Sequence, residues 1–372
     1  MGWTETTLGN LITFQRGFDL PAKNRIPGDV PVLAAGEKTF SHNEAKVAGP
    51  GFVIGRSTNL GVPRWSDTDF WPLNTTLFAK DFKGNNPRWL FYLFKTLDLS
   101  GFDSGTAQGS LNRNYISAFK VSAPDRDRQD RIVDVLGSLD DKIAANNRVV
   151  SISNELVRAR YSALPVSACS LRDIADLVRS STPPHGFDPQ KRLVGLEHFD
   201  SESLWLARSS TPDVATSAKN EFHAGDTLFG KLRPYFHKVA IAPFEGYCST
   251  DVLVLRAKEQ RLGPLVAAAA NSDAVVQHAV NSSNGTRMPR AKWGDIETCQ
   301  VPDPGDRRTA EFIRIADTLI QDATARLEAN ATLANTRNEL LPLLMNGKIS
   351  VREAEQEATS AGADIPSEEI GA

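Results

Sequence analysis

Two stretches of the chain carry the apolar periodicity of a long amphipathic helix. One begins in "DRQDRIVDVLGSLDDKIAANN" at Asp127, and the other in "DRRTAEFIRIADTLIQDATARLEAN" at Asp306. In the first, apolar residues recur at alternating spacings of three and four or at multiples of seven, which predicts an apolar stripe along the helix, and in the second they occupy the equivalent stripe. The stripes are Ile132, Leu136, Leu139, Ile143, Val150, Val157 and Leu164 in the first helix, and Phe312, Ala316, Leu319, Ala323, Leu333, Leu340 and Leu344 in the second.

Polar residues interrupt both stripes, at Asn146, Ser153 and Arg160 in the first helix and at Arg326, Asn330 and Arg337 in the second. The interruptions complement one another in part, because Val150 takes the register position of Asn330, and Leu333 that of Ser153. This pattern favours an antiparallel pair in which each helix packs on one particular partner. The alternative is that each helix covers only its own domain, but about 38 residues span roughly 57 Å, which is long for that role.

The two helices belong to an internal repeat. "SGTAQGSLNRNYISAFKVSAPDRDRQDRI" from Ser104 aligns without gaps with "NGTRMPRAKWGDIETCQVPDPGDRRTAEF" from Asn284, so the offset between the copies is constant along this stretch. The upstream ends also correspond, near Leu8 and Leu171, but at a smaller offset. The second copy therefore holds about 17 additional residues before its Gly-Thr pair, by the difference between the two offsets.

Outside the helices, each copy predicts a mixed fold. Stretches such as "GPGFVIGRS", "NTTLFAK", "GDTLFGKLRPYFHKVAIA" and "STDVLVLRA" are short, rich in β-branched and aromatic residues, and bounded by Gly, Pro or Asp, as strands are. "PRWLFYLFKTL" and "LGPLVAAAANSDAVVQHAV" predict short helices. We therefore expect two α+β domains.

Charge is unevenly distributed along the chain. The net charge is -3, but the last twenty residues contain six acidic and no basic groups, so the remainder carries +3. This composition predicts a disordered acidic tail at 353–372. The rest is close to neutral, which leaves DNA binding to a local stripe of Lys and Arg.

Several protein classes are disfavoured. No apolar run is long enough to span a membrane, and the N-terminus lacks the pattern of a secretory signal, so we expect a cytoplasmic protein. Cys169, Cys248 and Cys299 are far apart without ligand spacing, which disfavours a disulfide framework or a zinc site and predicts buried small residues.

The chain resembles the DNA-specificity subunit of type I restriction-modification systems, over residues 8–351. The resemblance is carried by "GDTLFGKLRPYFHKVAIA" followed by "YCSTDVLVLRA", by "IGRSTNLG" followed by "FWPLNTTLFAK", by the proline-to-helix units, and by "LLPLLMNGKISV". The helix entrances "APDRDRQDRI" and "PDPGDRRTAEF" depart from the family's proline-acidic-glutamine run, of which Gln129 remains.

The resemblance implies a division into two recognition domains and two spacer helices. These would be target-recognition domains at 1–124 and 165–304, and spacer helices at 125–164 and 305–352 that form an antiparallel coiled coil with pseudo-twofold symmetry. Each domain would recognise one half of a bipartite double-stranded DNA site. The helices would hold methyltransferase subunits, two in number, with restriction subunits as possible further partners. S-adenosylmethionine would be bound by the methyltransferase, which would modify adenine, and not by this chain.

Three groups of polar residues are candidates for DNA contact. "KLRPYFHK" mixes basic and aromatic groups, and if it is a strand, alternation places Lys231, Arg233 and Tyr235 on one face. "GRSTNLGVPRW" is a glycine-flanked loop suited to close approach of phosphate, although Asn59 is equally suited to a turn. The third group follows the two Gly-Thr pairs. The full set is Arg56, Ser57, Asn59, Arg64, Arg113, Lys231, Arg233, Tyr235, Lys238, Arg287, Arg290 and Lys292.

Motifs for chemistry are missing from the sequence. "NNPRW" lacks the second proline of an amino-methyltransferase motif, "AAGEKTF" lacks the spacing of a nucleotide-binding loop, and "DDK" at Asp140 lies on the first long helix, where such charges usually form a solvated face. The six histidines show no ligand spacing. We therefore expect a non-catalytic DNA-recognition scaffold. The alternative is a coiled-coil adaptor whose two heads bind protein.

Overall fold

The computed structural model describes residues 2–36, 38, 40–99, 101, 110–283 and 288–365. The chain divides into two compact units. The first consists of Met1–Ile143 and Ala331–Ala372, and the second of Ala144–Asn330.

The first unit contains three small sheets. Its main sheet is antiparallel with the strand order β2-β8-β5-β6, a second has the order β4-β3-β7, and β1 pairs with β9. The strands are β1 (Thr4–Thr7), β2 (Thr13–Arg16), β3 (Val30–Leu33), β4 (Phe40–His42), β5 (Gly51–Gly55), β6 (Pro63–Ser66), β7 (Trp71–Pro72), β8 (Thr76–Asp81) and β9 (Lys120–Ala123). The short helices are α1 (Leu8–Leu11), α2 (Pro87–Thr96) and α3 (Arg113–Ser117).

Helix α2 forms the centre of this unit's core. Asn86 caps it by accepting hydrogen bonds from the backbone amides of Arg88 and Trp89, and Pro87 at its first position has no amide that needs a partner. Trp89 and Tyr92 are fully buried in a cluster with Phe52. The predicted "PRWLFYLFKTL" helix is therefore present.

The second unit contains two four-stranded sheets. One is antiparallel with the order β10-β17-β14-β15, and the other has the order β11-β13-β16-β12. The strands are β10 (Ala175–Leu177), β11 (Ser181–Thr182), β12 (Arg192–Val194), β13 (Lys219–Phe222), β14 (Thr227–Gly230), β15 (Val239–Ile241), β16 (Gly246–Cys248) and β17 (Val252–Ala257). The short helices are α5 (Leu171–Ile174), α6 (Gly263–Ala270), α7 (Asp273–Ser282) and α8 (Trp293–Ile296).

The main sheets of the two units share one plan. In each, a central strand that ends in glycine, β5 or β14, lies between a following antiparallel strand, β6 or β15, and the later strand β8 or β17. The mixed α/β character predicted from the sequence is confirmed.

Two long helices occur at the predicted places. They are α4 (Arg126–Ser162) and α9 (Arg307–Met345), and each crosses from one unit into the other. In the first unit, Leu136 and Leu139 of α4 belong to the same core cluster as Leu340 of α9. In the second, Val157 and Phe312 share a cluster. Most residues of the predicted apolar stripes are thus buried in the units' own cores, while Ile143, Leu164 and Leu319 are partly buried against them.

Within the second unit, α4 and α9 run in opposite directions. Tyr161 packs against Phe312 with ring centroids 5.8 Å apart, while Asn146 bonds Asn330. The polar interruptions therefore meet one another. The predicted register, with Val150 opposite Asn330, was wrong. Asn330 instead lies opposite Asn146 and Asn147, with which its side-chain amide exchanges hydrogen bonds.

Asp140 lies in the first unit's helix contact and is not part of a solvated face. It is only 20% exposed, and Arg337 of α9 donates to it at 2.6 Å. The hydroxyl of Tyr92 donates to its other oxygen at 2.7 Å. Burial raises the pKa of Tyr92, and the charge of Asp140 raises that pKa further. The "DDK" segment therefore holds α2, α4 and α9 together.

The prediction of a disordered tail was wrong for the first part of that segment. Residues Val351–Ser360 form helix α10, capped by Ser350 and Glu353. Ala354 and Ala358 are fully buried in the first unit's core, and Lys142 pairs with Asp364 at 2.8 Å. Small apolar residues at a helical spacing outweigh the acidic composition here. Residues 366–372 of the predicted tail lie outside the described residues.

Candidate nucleic-acid interface

In the second unit, the segment 231–238 forms a loop. Strand β14 ends at Gly230, and Pro234–Phe236 forms a single 3-10 turn. Arg233 and His237, on either side of this turn, have φ angles of 51° and 49°. The prediction that alternation along a strand places Lys231, Arg233 and Tyr235 on one face was therefore wrong, because left-handed residues and a proline cannot continue a ladder.

This loop is joined to the segment that precedes α8. The Lys231 amide donates to the Asp251 carbonyl, and the Lys231 carbonyl accepts from the Ala291 amide, both at 2.9 Å. The Arg233 amide donates to the Pro289 carbonyl at 2.8 Å. The candidate group at Lys231 and the candidate group next to Ala291 are far apart in sequence, but these bonds bring them together on one surface.

The basic groups of this surface differ in how they are held. Arg290 pairs with Asp251 at 3.0 Å and is 48% exposed. The Lys238 ammonium donates to the Leu196 carbonyl at 2.6 Å, so this residue is tied to its own unit. Lys292 is exposed at the start of α8. Arg233 is half-buried, and its Nε has no hydrogen-bond partner among the described residues. Arg287 lies outside the described residues.

Two aromatic side chains lie at the tip of the loop. Tyr235 is 53% exposed and Phe236 is 44% exposed, with ring centroids 4.8 Å apart. Met288, beside Pro289, is 48% exposed. Phe236 and Met288 were missed by the sequence analysis, although Phe236 stands within the segment "KLRPYFHK" and its aromatic character next to basic residues was an available signal.

The first unit holds an equivalent loop after β5. The Arg56 amide donates to the Thr75 carbonyl at 2.9 Å, and the Arg56 carbonyl accepts from the Leu111 amide at 2.8 Å. Thr75 immediately precedes β8, as Asp251 precedes β17. The backbone of Arg56 is thus bonded to residues at the positions equivalent to the partners of Lys231. Its bond to Leu111 brings the segment around Arg113 next to the loop. Arg113 is exposed at the start of α3.

Asn59 and Arg64 have structural roles in this unit. Asn59 has a φ of 47°, and its side-chain amide donates to the Ala35 carbonyl at 2.9 Å, as expected of a turn residue. Arg64 lies in β6 and donates to the carbonyls of Ala34 and Gly36. These bonds hold the loop in place and direct both side chains toward protein atoms. Ser57 is half-buried beside Arg56.

The cysteines are free thiols. Cys248 is buried, and burial raises its pKa to about 12. Cys169 and Cys299 are only partly buried, so the prediction of three buried residues holds for Cys248 alone. In the described part of the chain, no group of three or more His, Cys, Asp or Glu side chains is placed to hold a metal ion. None of the described helices is long and apolar enough to cross a membrane.

Comparison with a curated protein and a solved structure gives two likenesses. The chain is 28% identical over 171 residues to the specificity subunit of the Escherichia coli type I restriction enzyme EcoDI, a region that is 44% of this chain and 37% of that protein. Its fold is similar to the S subunit of a type I restriction-modification system from M. genitalium. The TM-score is 0.63 over 92% of this chain and 96% of that chain, and the 13% identity limits this likeness to the fold.

A family model extends the comparison at the N-terminal end. Residues 1–152 match the type I restriction modification DNA specificity domain. This range includes the loop at Arg56, the segment around Arg113 and the first part of α4. On these matches, residues 1–152 correspond to a type I restriction modification DNA specificity domain, and the chain is similar to a type I restriction enzyme specificity subunit.

Proposed function

We propose that this chain is the DNA-recognition subunit of a type I restriction-modification complex and that each unit reads one half of a bipartite site. The observation that carries the proposal is the shared construction of the two loops. Arg56 and Lys231 follow the terminal glycine of a central strand and make the same pair of backbone hydrogen bonds. A folded chain that presents a basic loop twice is suited to two separated half-sites, and the difference between the loops lets the half-sites differ.

The two loops present different chemistry to the two half-sites. The loop of the first unit carries Arg56 and Ser57, and the loop of the second adds Tyr235 beside its basic residues. Arginine can bond guanine O6 and N7 together or grip a phosphate, and lysine acts as a point charge. These groups supply DNA affinity through local charge, despite the net charge of -3.

We further propose that α4 and α9 form an antiparallel coiled-coil spacer that also binds methyltransferase subunits. At 37 and 39 residues, the helices are about 55 Å and 58 Å long. The second-unit part of α4 carries another apolar stripe, outside the buried one. It consists of Ala145, Val149, Ile152, Leu156 and Ala159, at spacings of four and three.

This outer stripe, Ala145 to Ala159, is suited to a helix of the partner. Ile152 is 62% exposed and Leu156 is 38% exposed. An apolar stripe at heptad spacing packs on another helix by inserting side chains into its surface. S-adenosylmethionine would be bound by that partner, which would methylate adenine, and a restriction subunit would add cleavage. This chain would contribute recognition and geometry and would transfer no methyl group when isolated.

Methylation mapping tests the proposal directly. We expect DNA from cells that express this chain with its methyltransferase to carry methyladenine in one bipartite motif. DNA from cells that lack this chain should be unmethylated at that motif. Purified complex should bind a duplex of the motif with an affinity that falls steeply with salt, because neutralised phosphates release counterions. A methylation pattern that is the same with and without this chain would contradict the proposal.

The alternative of a protein-binding adaptor makes a different prediction. In that case the chain would bind the methyltransferase or another protein, but duplex DNA would bind weakly and without preference for any motif. Measuring affinity for motif and scrambled duplexes at two salt concentrations separates the two functions.

A further inference from the structure

The turn that carries Tyr235 and Phe236 is held in one unusual conformation. Arg233 and His237 are both in the left-handed region, where side chains with a β-carbon are disfavoured. The turn closes on itself through the Phe236 amide, which donates to the Arg233 carbonyl, and the His237 amide, which donates to the Pro234 carbonyl, each at 2.9 Å. The surrounding structure therefore has to hold this conformation in place.

Neighbouring segments supply that support. The Phe236 carbonyl accepts from the Ser201 hydroxyl at 2.7 Å, and the His237 carbonyl accepts from the Glu202 amide at 2.8 Å. His237 is only 8% exposed, and its imidazole Nε2 lies 3.0 Å from the Asn271 carbonyl oxygen. With the bond from Arg233 to Pro289, both ends of the turn are attached to the unit. The aromatic rings are thus presented on a rigid support.

The rings are exposed although they are large and apolar. Among the described residues, Tyr235 and Phe236 are the only two sequence neighbours that are both large, apolar and exposed. Met288 is exposed next to Pro289, on a segment that the backbone bonds join to this loop, and Lys231, Arg290 and Lys292 lie on the joined segments as well. An aromatic tip within a basic surface is suited to nucleic acid, since phosphates attract the cations and base faces stack on the rings.

We propose that Tyr235 and Phe236 form a wedge that enters between stacked bases of the half-site bound by the second unit. This inference rests on the proposed DNA-recognition function. Apolar side chains inserted at a base step partly unstack it and kink the duplex. Pyrimidine–purine steps unstack most easily, so the wedge selects sequence through deformability at a step where it forms no base-specific hydrogen bond.

In the first unit, the described residues of the equivalent loop form no such wedge. Its equivalent loop runs Arg56-Ser57-Thr58-Asn59-Leu60-Gly61-Val62 and has no aromatic residue. Val62 is its large exposed apolar residue, at 53%. We therefore expect the wedge to distort only the half-site bound by the second unit.

The test uses the full chain in complex with its methyltransferase and duplexes of the motif found by methylation mapping. 2-Aminopurine, whose fluorescence rises when it unstacks, is placed at successive positions of both half-sites other than the target adenines, because a methyltransferase flips its target base out of the stack. Energy transfer between dyes at the duplex ends measures bending. We expect a fluorescence rise at one step of one half-site, together with a bend.

The double variant Tyr235→Ala/Phe236→Ala should abolish the fluorescence rise and the bend. Its affinity should fall about tenfold or more, as expected from loss of base stacking, while the salt dependence stays unchanged because no phosphate contact is lost. Tyr235→Phe keeps the ring and should behave like the wild type. Val214→Ala, at an exposed apolar residue of the second unit outside this loop, is the matched control. Thermal unfolding confirms that each variant is folded.

Three results would overturn the wedge. Steep, motif-specific binding without unstacking, or with unstacking that the double variant retains, would show that these rings do not enter the duplex, while DNA recognition would stand. Loss of the methyltransferase from the double variant, with DNA affinity intact, would instead identify the rings as a protein contact. If the wild-type complex did not bind the duplex at all, both the wedge and the proposed function would be wrong.

Discussion

The side-chain amide of Asn146 donates a hydrogen bond to the side-chain oxygen of Asn330 at 2.8 Å, across two antiparallel helix segments of the second unit. Asn146 is 4% exposed, and it also accepts from Arg326 at 3.1 Å. Asn330 in turn donates to Asn147 at 2.9 Å. A polar layer of this kind, with Asn146 buried in it, specifies the register of a helix pair, because a shift would leave its groups without partners.

Asn146→Ala should therefore lower the free energy of unfolding by about 1 to 3 kcal/mol, since the half-buried side chains of Asn330 and Arg326 each lose a hydrogen bond. The paired change Asn146→Leu/Asn330→Leu should recover much of that loss, because apolar side chains replace both halves of the contact. Urea unfolding of both variants measures this, with Ser151→Ala on an exposed part of α4 as the control. A double variant that recovers none of the stability lost in Asn146→Ala would contradict the proposed coupling of the two residues.

Arg56 and Arg64 should give different results, although the sequence presents them in one loop. Arg64→Ala removes a side chain that donates to Ala34 and Gly36, so we expect a loss of stability of roughly 1 to 3 kcal/mol. Arg56→Ala should leave stability unchanged and reduce DNA affinity, because its anchoring bonds are made by the backbone. Thermal unfolding and DNA titration on the same preparations compare them. Equal stability of the two variants would contradict the structural role of Arg64.

Lys292 provides a test of phosphate contact in the second unit. Lys292→Ala should lower affinity evenly across DNA sequences and reduce the slope of log affinity against log salt by about 1. Lys258, at the opposite end of β17 from Asp251, pairs with Asp176 and is the matched control. Binding of the Lys292 variant and the Lys258→Ala variant is measured at several salt concentrations. An unchanged slope for both would exclude Lys292 from the phosphate contacts.

The outer stripe of α4 should be required for the methyltransferase but not for folding. Ile152→Glu and Leu156→Glu place charges on an exposed apolar surface, so the isolated chain should remain folded while co-purification of the methyltransferase is lost. Ser151→Glu adds the same charge on another side of α4 and should leave the complex intact. Size-exclusion chromatography with light scattering measures the complex. Normal assembly of both stripe variants would place the partner elsewhere.

The two long helices should set the distance between the half-sites. Inserting about one helical turn into both α4 and α9 lengthens each by about 5.4 Å, which corresponds to one or two base pairs at roughly 3.4 Å per step. We expect the methylated motif to keep its half-sites and gain one or two bases between them, with some loss of affinity because the duplex also rotates. An insertion in α4 alone should instead destabilise the protein by breaking the register of the polar layer.

Methylation mapping of the doubly lengthened protein gives the result. A complex that folds, binds its methyltransferase and still methylates the original spacing would show that the helices do not determine the distance.

The sequence by itself determined the features that depend on local periodicity. The stripes at Leu136 and Phe312 predicted both long helices, because the helical period is visible in the spacing of apolar residues along the sequence. The constant offset between the two copies predicted which segments are equivalent. Leu111 and Ala291, which are separated by that offset, do make equivalent hydrogen bonds to Arg56 and Lys231. The prediction that both domains contain strands and helices followed from the strand-like and helix-like segments in each copy.

Only the tertiary structure decided which polar residues are free to meet a ligand. Arg64 and Lys238 have the composition of DNA-contacting residues, but carbonyl groups distant in sequence hold them. The loop at Tyr235 departs from a strand because contacts with Pro289 and Asn271 stabilise left-handed residues that local preference disfavours. Helix α10 forms because its alanines find a core to pack against, which its acidic composition could not indicate. In each case the deciding partner lies far away along the chain, so no local pattern contained it.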